Sequence, residues 1–262
     1  MRSARVLIVA LGLLLCAGIP ARAELSQQGG LIVGFDGGLM PRALPRSHPV
    51  PVAVRVAGKV RDAGGEQARL PQLRTITVAI NRAGRIFDRG LPSCEVSSIQ
   101  PATEREARRV CGGAIIGSGR VVVQARIASQ EPVLVRGKLL AFNGPREGGR
   151  KLIFAQVYAK DPPGAFVLAF EVKRGRGLFG TVMSTTLPPV AQGWAYLTDF
   201  EMTLKRTYSY RGRTRSYISA ACAAPAGFPG ATFPFARSTY GFEDGRKLRT
   251  TVVRSCRVKG GA

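Results

Sequence analysis

The chain has 262 residues, with 39 Lys and Arg against 16 Asp and Glu, and a formal net charge of +23. Hydrophobic residues make up 45% of it, enough to form a core and to argue against wholesale disorder despite the charge. A single His and five scattered Cys argue against a zinc site, so neither a metal nor a cofactor is expected.

Residues 1–23 read as a secretory signal. Arg2 and Arg5 make a basic start, Val6 to Ala17 an apolar run, and Ala21-Arg22-Ala23 the small-x-small pattern of a cleavage site near Ala23. The run is short for a spanning helix, and no later stretch approaches the roughly 20 apolar residues that one needs. An uncleaved anchor is the alternative; a lipidated Cys16 is disfavoured because Leu15, not a small residue, precedes it. The sequence thus predicts a secreted or envelope-associated protein with no transmembrane helix in its mature chain. Removing residues 1–23 takes away three Arg and no acid, so 36 basic and 16 acidic residues leave a charge of +20.

Residues 24–49, rich in Gly and Pro, predict an extended lead-in with weak strand character only at Leu31 to Phe35. Alternation of period two then dominates. Val50, Val52, Val54, Val56 and Val60 share one face, Ile76, Val78 and Ile80 another, and Val121, Val123, Ala125 and Ile127 a third. Between the last two, Thr103-Glu104-Arg105-Glu106 matches a capping box and predicts a short helix near 104–110. Further strands are expected over 133–142, 151–159, 165–173, 178–187, 195–210, 214–222, 231–242 and 247–257. Asn143-Gly144-Pro145, Glu147-Gly148-Gly149 and Glu243-Asp244-Gly245 are the expected turns. The fold class is therefore all-β: an antiparallel β-sandwich or two packed sandwich-like halves, 50–160 and 161–262, meeting at Asp161-Pro162-Pro163-Gly164.

Four cysteines remain after the signal: Cys94, Cys111, Cys222 and Cys256. An even count in an oxidising compartment favours disulfides. Three connectivities are open; proximity favours Cys94–Cys111 and Cys222–Cys256. The first would staple a helix too short to hold itself. No C-x-x-C knuckle supports a four-thiolate metal site.

The chemical motifs are few. Gly175-Arg176-Gly177-Leu178-Phe179-Gly180 spells a dinucleotide fingerprint, but the β-branched run after it predicts a turn between strands rather than a helix. His48, in a Pro-rich stretch, reads as an exposed loop residue, and no nucleophile elbow is present. No catalytic residue is assigned. Glu171, Asp199 and Glu201 are the carboxylates a glycan hydrolase would draw on, and nothing in their spacing marks a pair.

The strongest charge feature runs from Lys205 to Tyr217. Arg206, Tyr208, Tyr210, Arg211, Arg213, Arg215 and Tyr217 interleave cations with aromatic rings, as surfaces that neutralise and stack on polyanions do. If 195–210 and 214–222 pair, Arg211-Gly212-Arg213 sits at a hairpin tip. The competing reading is a basic, solvated hairpin with Tyr chosen for strand propensity. Arg outnumbers Lys by 31 to 8, so codon composition also contributes to the charge. The expected partners are anionic envelope polymers or lipids, bound in a salt-sensitive manner. No nucleic-acid signature is present, and sequence-specific nucleic-acid binding is not expected.

Three segments, Gly90 to Thr103, Gly137 to Gly144 and Cys222 to Arg237, resemble a family of exported, cysteine-containing proteins of GC-rich actinobacteria. The resemblance spans most of the chain after about residue 44. Where those proteins often read Cys-Pro-Ala-Pro, this chain has Cys222-Ala223-Ala224-Pro225. The resemblance implies export and shared cysteines, and it carries no activity and no site. The functional expectation is a non-enzymatic, envelope-associated binding or structural module, with an extracellular glycan hydrolase as the alternative.

Overall fold

The computed structural model describes residues 24–64, 70–125, 132–188 and 195–259. The expected signal segment, and Ile127 at the end of the third alternating run, lie outside the described residues. In chain order the strands are β1 (Glu24–Gln28), β2 (Leu31–Met40), β3 (Ala43–Leu44), β4 (Val50–Pro51), β5 (Ala53–Asp62), β6 (Leu73–Asn81), β7 (Gly84–Ile86), β8 (Ile115–Ala125) and β9 (Val133–Glu147). They continue with β10 (Arg150–Lys160), β11 (Pro163–Arg174), β12 (Phe179–Thr186), β13 (Ala195–Leu204), β14 (Thr207–Tyr210), β15 (Arg213–Ser216), β16 (Ile218–Ala220), β17 (Gly230–Phe242) and β18 (Lys247–Val258). One α-helix, α1 (Glu104–Cys111), interrupts the described strands between β7 and β8.

The all-β class expected from alternation is the class observed. Among the described residues, thirteen strands form one sheet in the order β1-β2-β5-β13-β8-β9-β10-β11-β12-β6-β17-β18-β3, antiparallel except for the short β18–β3 pair. The sheet curls until β18 lies against β1 and β2, so its opposite walls face one another across a shared core. Side chains close the seam: Arg254 Nε on β18 donates to Gly37 O on β2 at 2.6 Å, and its guanidinium pairs with Asp36. Inward positions are apolar, including Val33 and Phe35 on β2, Val54 and Val56 on β5, and Ile76 and Val78 on β6. A small sheet, β4-β16-β7, covers the lower end, where Ile218 and Ala220 meet Val52, Ile80 and Phe235.

Several expectations are corrected. Residues 24–40 are not a lead-in but the hairpin β1–β2, because Leu31, Val33, Phe35 and Leu39 supply an inward apolar face. Asn143-Gly144-Pro145 lies inside β9 rather than at a turn; Asn143 O accepts from Cys94 N at 2.9 Å and its side-chain amide donates to Pro92 O at 3.0 Å. The stretches 50–160 and 161–262 share one sheet, since β13 sits between β5 and β8 and β6 between β12 and β17. The turn at Gly175 to Gly180 joins β11 to β12, closed by a bond from Gly175 N to Gly180 O, and no helix follows.

The helix forms where its cap was read. Glu106 N donates to Thr103 Oγ1 at 3.3 Å, and Thr103 N donates to Glu106 Oε2 at 2.8 Å. Ala107 and Cys111 face a second apolar cluster with Leu140, Phe142, Leu152 and Phe154, which project from the outer faces of β9 and β10. Both faces of these two strands are therefore buried, and Gln156 on β10 ties the preceding loop down by donating to Ile99 O and Ala102 O. Disulfides join Cys94 to Cys111 and Cys222 to Cys256.

Candidate functional site

The basic hairpin forms as β14 and β15, with Tyr208 opposite Arg215 and Tyr210 opposite Arg213. Its two-residue turn is Arg211-Gly212, both with positive φ (51° and 69°), the backbone that lets a tight hairpin follow the strand twist. Cross-strand partners share a face, so Tyr208, Tyr210, Arg213 and Arg215 project together from one side of the ribbon.

That side rests on the loop after β7. The single Tyr208 Oη proton is shared between Phe87 O at 3.0 Å and Arg89 O at 3.1 Å. Tyr210 packs edge-on against Phe87 and lies flat on Gly90, where φ is +79° and a Cβ would run into the ring. Arg215 stacks its guanidinium over Phe87 at 5.4 Å, and Arg211 folds over Tyr210 at 5.3 Å. The aromatic rings thus dock the hairpin. Burial pushes the Tyr208 phenol up, as expected for a ring used in packing.

The other two named residues turn inward. Tyr217 is fully buried, with no hydrogen-bond partner for its hydroxyl among the described residues, and burial pushes that phenol far up. Arg206 is half-buried and donates to Gly113 O at 3.3 Å, beyond the C-terminus of α1. What the ribbon presents to solvent is cationic: Arg211, Arg213 and Arg215 are exposed and form no ion pair among the described residues.

Beneath the hairpin lies a group that the sequence did not single out. Lys151, inward-facing on β10, sits 4.6 Å above the Tyr217 ring, and its Nζ is 3.3 Å from Asp88. Desolvation lowers the lysine to about 8, against the attraction of Asp88. Burial also works to raise Asp88, but Lys151 and Arg146 outweigh it and hold the carboxyl below its usual range. The only sequence signal was a Lys at an inward position of an alternating strand.

The remaining candidates lie apart. His48 is exposed beside Ser47. Glu171 is clamped by Arg150 and Lys173, Asp199 faces Lys59, and Glu201 bridges Arg55 and Arg120. Arg55 also reaches Asp36, so alternating charges run along the outside from Arg254 through Asp36, Arg55 and Glu201 to Arg120. Among the described residues, no group of three or more His, Cys, Asp or Glu could hold a metal ion, and no helix is long and apolar enough to cross a membrane. No protein-family model, curated protein or solved structure matches the chain.

Proposed function

We propose that this is an exported, envelope-associated binding module that does no chemistry and holds anionic polymers or lipid headgroups through its positive surface. The observation that carries the reading is the docked hairpin. It holds Arg211, Arg213 and Arg215 on a ribbon fixed by Tyr208 and Tyr210, with no acid paired to them among the described residues. A preorganised cluster of cations binds a polyanion at less entropic cost than mobile side chains do. The two disulfides suit an oxidising compartment, and the +20 charge adds long-range attraction to the local cluster. The carboxylates a glycan hydrolase would use are all engaged with cations on the outer face, which gives that alternative no support.

The test uses the mature, oxidised chain, residues 24–262, co-sedimented with washed cell envelopes and challenged with soluble polyphosphate. Binding should weaken steeply as salt rises from about 0.05 to 0.5 M, following the shrinking screening length. Replacing Arg211, Arg213 and Arg215 by Ser should remove most of it while leaving the far-UV circular dichroism unchanged. Equal binding by the triple variant would overturn the hairpin assignment.

A further inference from the structure

We infer that the interior of the rolled sheet is a second binding site, one that takes the single alkyl chain of an anionic amphiphile such as a fatty acid. The core is not filled throughout. On the side of β2, β17 and β18 it is dense; the Phe235 ring of β17, for instance, lies so close to Gly37 of β2 that a Cβ there would meet it at 3.0 Å. Toward β8, β9, β10, β11 and β13 a chamber remains. It is a cavity of about 80 Å³, larger than the roughly 10–15 Å³ that a single enclosed water needs.

Its walls define the ligand class. The side chains lining it are apolar apart from Gln72 and Tyr196. Waters held there would find few polar partners, so apolar chain is the occupant the lining stabilises. Phe166, Phe170, Leu197 and Met202 point into the chamber and stay only partly buried, although they belong to the inner wall of the sheet. Large apolar side chains retaining accessible surface inside a fold mark a ligand pocket rather than a packing interior.

The shape fits a chain with a head. The lining follows β13 from Ala195 to Leu204, roughly 30 Å of extended strand, while one bilayer leaflet of acyl chain spans about 15 Å. Pro188 lines one end of the chamber and is exposed, and the mouth is assigned to that end. Gln72 belongs to the same end, near Leu187 and Ala195, where its amide can donate to a carboxylate or phosphate. At the far end the next inward position below Ile153 on β10 is Lys151, held by Asp88 and Tyr217. The occupant is therefore anchored by its tail with its head at the mouth, and the positive protein favours an anionic head. This site does not rest on the hairpin, which lies at the opposite end of the roll.

The test is displacement of a fluorescent polyene fatty acid from the mature, oxidised protein by straight-chain fatty acids of increasing length. Affinity should rise severalfold with each added pair of methylenes up to the length that fills the chamber, and then level off. Met202→Trp, which fills the chamber at a partly buried wall position, should weaken palmitate binding by about tenfold or more, the equivalent of a few lost methylene contacts. The triple Ser variant of the hairpin should leave palmitate binding unchanged. Should Met202→Trp unfold the protein, Phe166→Trp supplies the same blockade from β11. No binding of the polyene probe, affinity indifferent to chain length, or folded blocking variants that bind palmitate as well as the parent would each overturn the assignment.

Discussion

Lys151 is where the fold tolerates a charge in the core, and its surroundings fix how that cost varies with pH. In the unfolded chain the ammonium titrates near the usual lysine value of about 10.4; in the fold, desolvation brings it to about 8. Between these values the unfolded state binds more protons, so stability must rise with pH. The gain begins near pH 8 and is curtailed near pH 10. There the buried phenols of Tyr217 and Tyr240, whose titration is pushed up by burial, begin to act in the opposite sense. Denaturant unfolding of the parent should show about 1–2 kcal/mol more stability at pH 9.5 than at pH 7.5. Lys151→Met should remove that slope; an unchanged slope would assign it elsewhere.

At the scale of elements, α1 shows how a locally weak segment is held. Eight residues cannot sustain a helix in water, yet this one has a complete capping box, a half-apolar face on β9 and β10, and a covalent tie from its last residue to Cys94. Closing a loop of 17 residues restricts the unfolded chain by roughly 3 kcal/mol. The double variant Cys94→Ala/Cys111→Ala should lose about that much global stability, and amide exchange should speed up first over Glu104–Cys111. If exchange quickened equally in β17 and β18, the bridge would be holding the whole roll rather than the helix.

This helix was legible because its signals are local: Thr103 and Glu106 at the right separation, and Cys111 at its last residue within reach of Cys94. The hairpin tip was legible for the same reason, at Arg211-Gly212. What was not legible required knowing which strands become neighbours. β2 contains Gly34, Gly37 and Gly38 and looked like a linker until β5 and β1 gave its apolar face something to join. The tyrosines of β14 are compatible in sequence with a stacking platform, and only their contacts with Phe87, Arg89 and Gly90 reveal them as fasteners. The inner chamber leaves no sequence mark at all, because a residue lining a void and a residue filling one obey the same alternation.

For the molecule as a whole, the outer belt from Arg254 to Arg120 joins strands that are distant in sequence and passes across the seam. Its acids must stay ionised to hold it. Hydrogen bonding from Arg55, aided by the charges of Arg55 and Arg120, keeps Glu201 below the usual carboxylate range despite some desolvation. A carboxyl lowered in the fold stabilises it above the unfolded value, and that contribution disappears as pH falls through the folded value. Thermal unfolding should therefore show a decline in stability below about pH 4.5, with a shallower acid limb in Glu201→Gln. At neutral pH the same substitution should cost no more than about 1 kcal/mol, as for other exposed pairs. A loss much larger than that would mean that the belt, rather than the core, keeps the roll closed.

The interleaved strand order also dictates when folding can finish. β6 precedes both of its neighbours by about a hundred residues or more, since β12 begins at Phe179 and β17 at Gly230. β5 must likewise wait for β13. During synthesis β6 emerges with both ladders vacant and β5 with one, and neither can be completed while the later strands are still being made. The last hairpin, β17–β18, supplies β6's second partner, one flank of the seam and the second half of the Cys222–Cys256 bridge. The roll is accordingly one that closes only when the β17–β18 hairpin docks, so the whole sheet, rather than either stretch of the chain alone, is its folding unit.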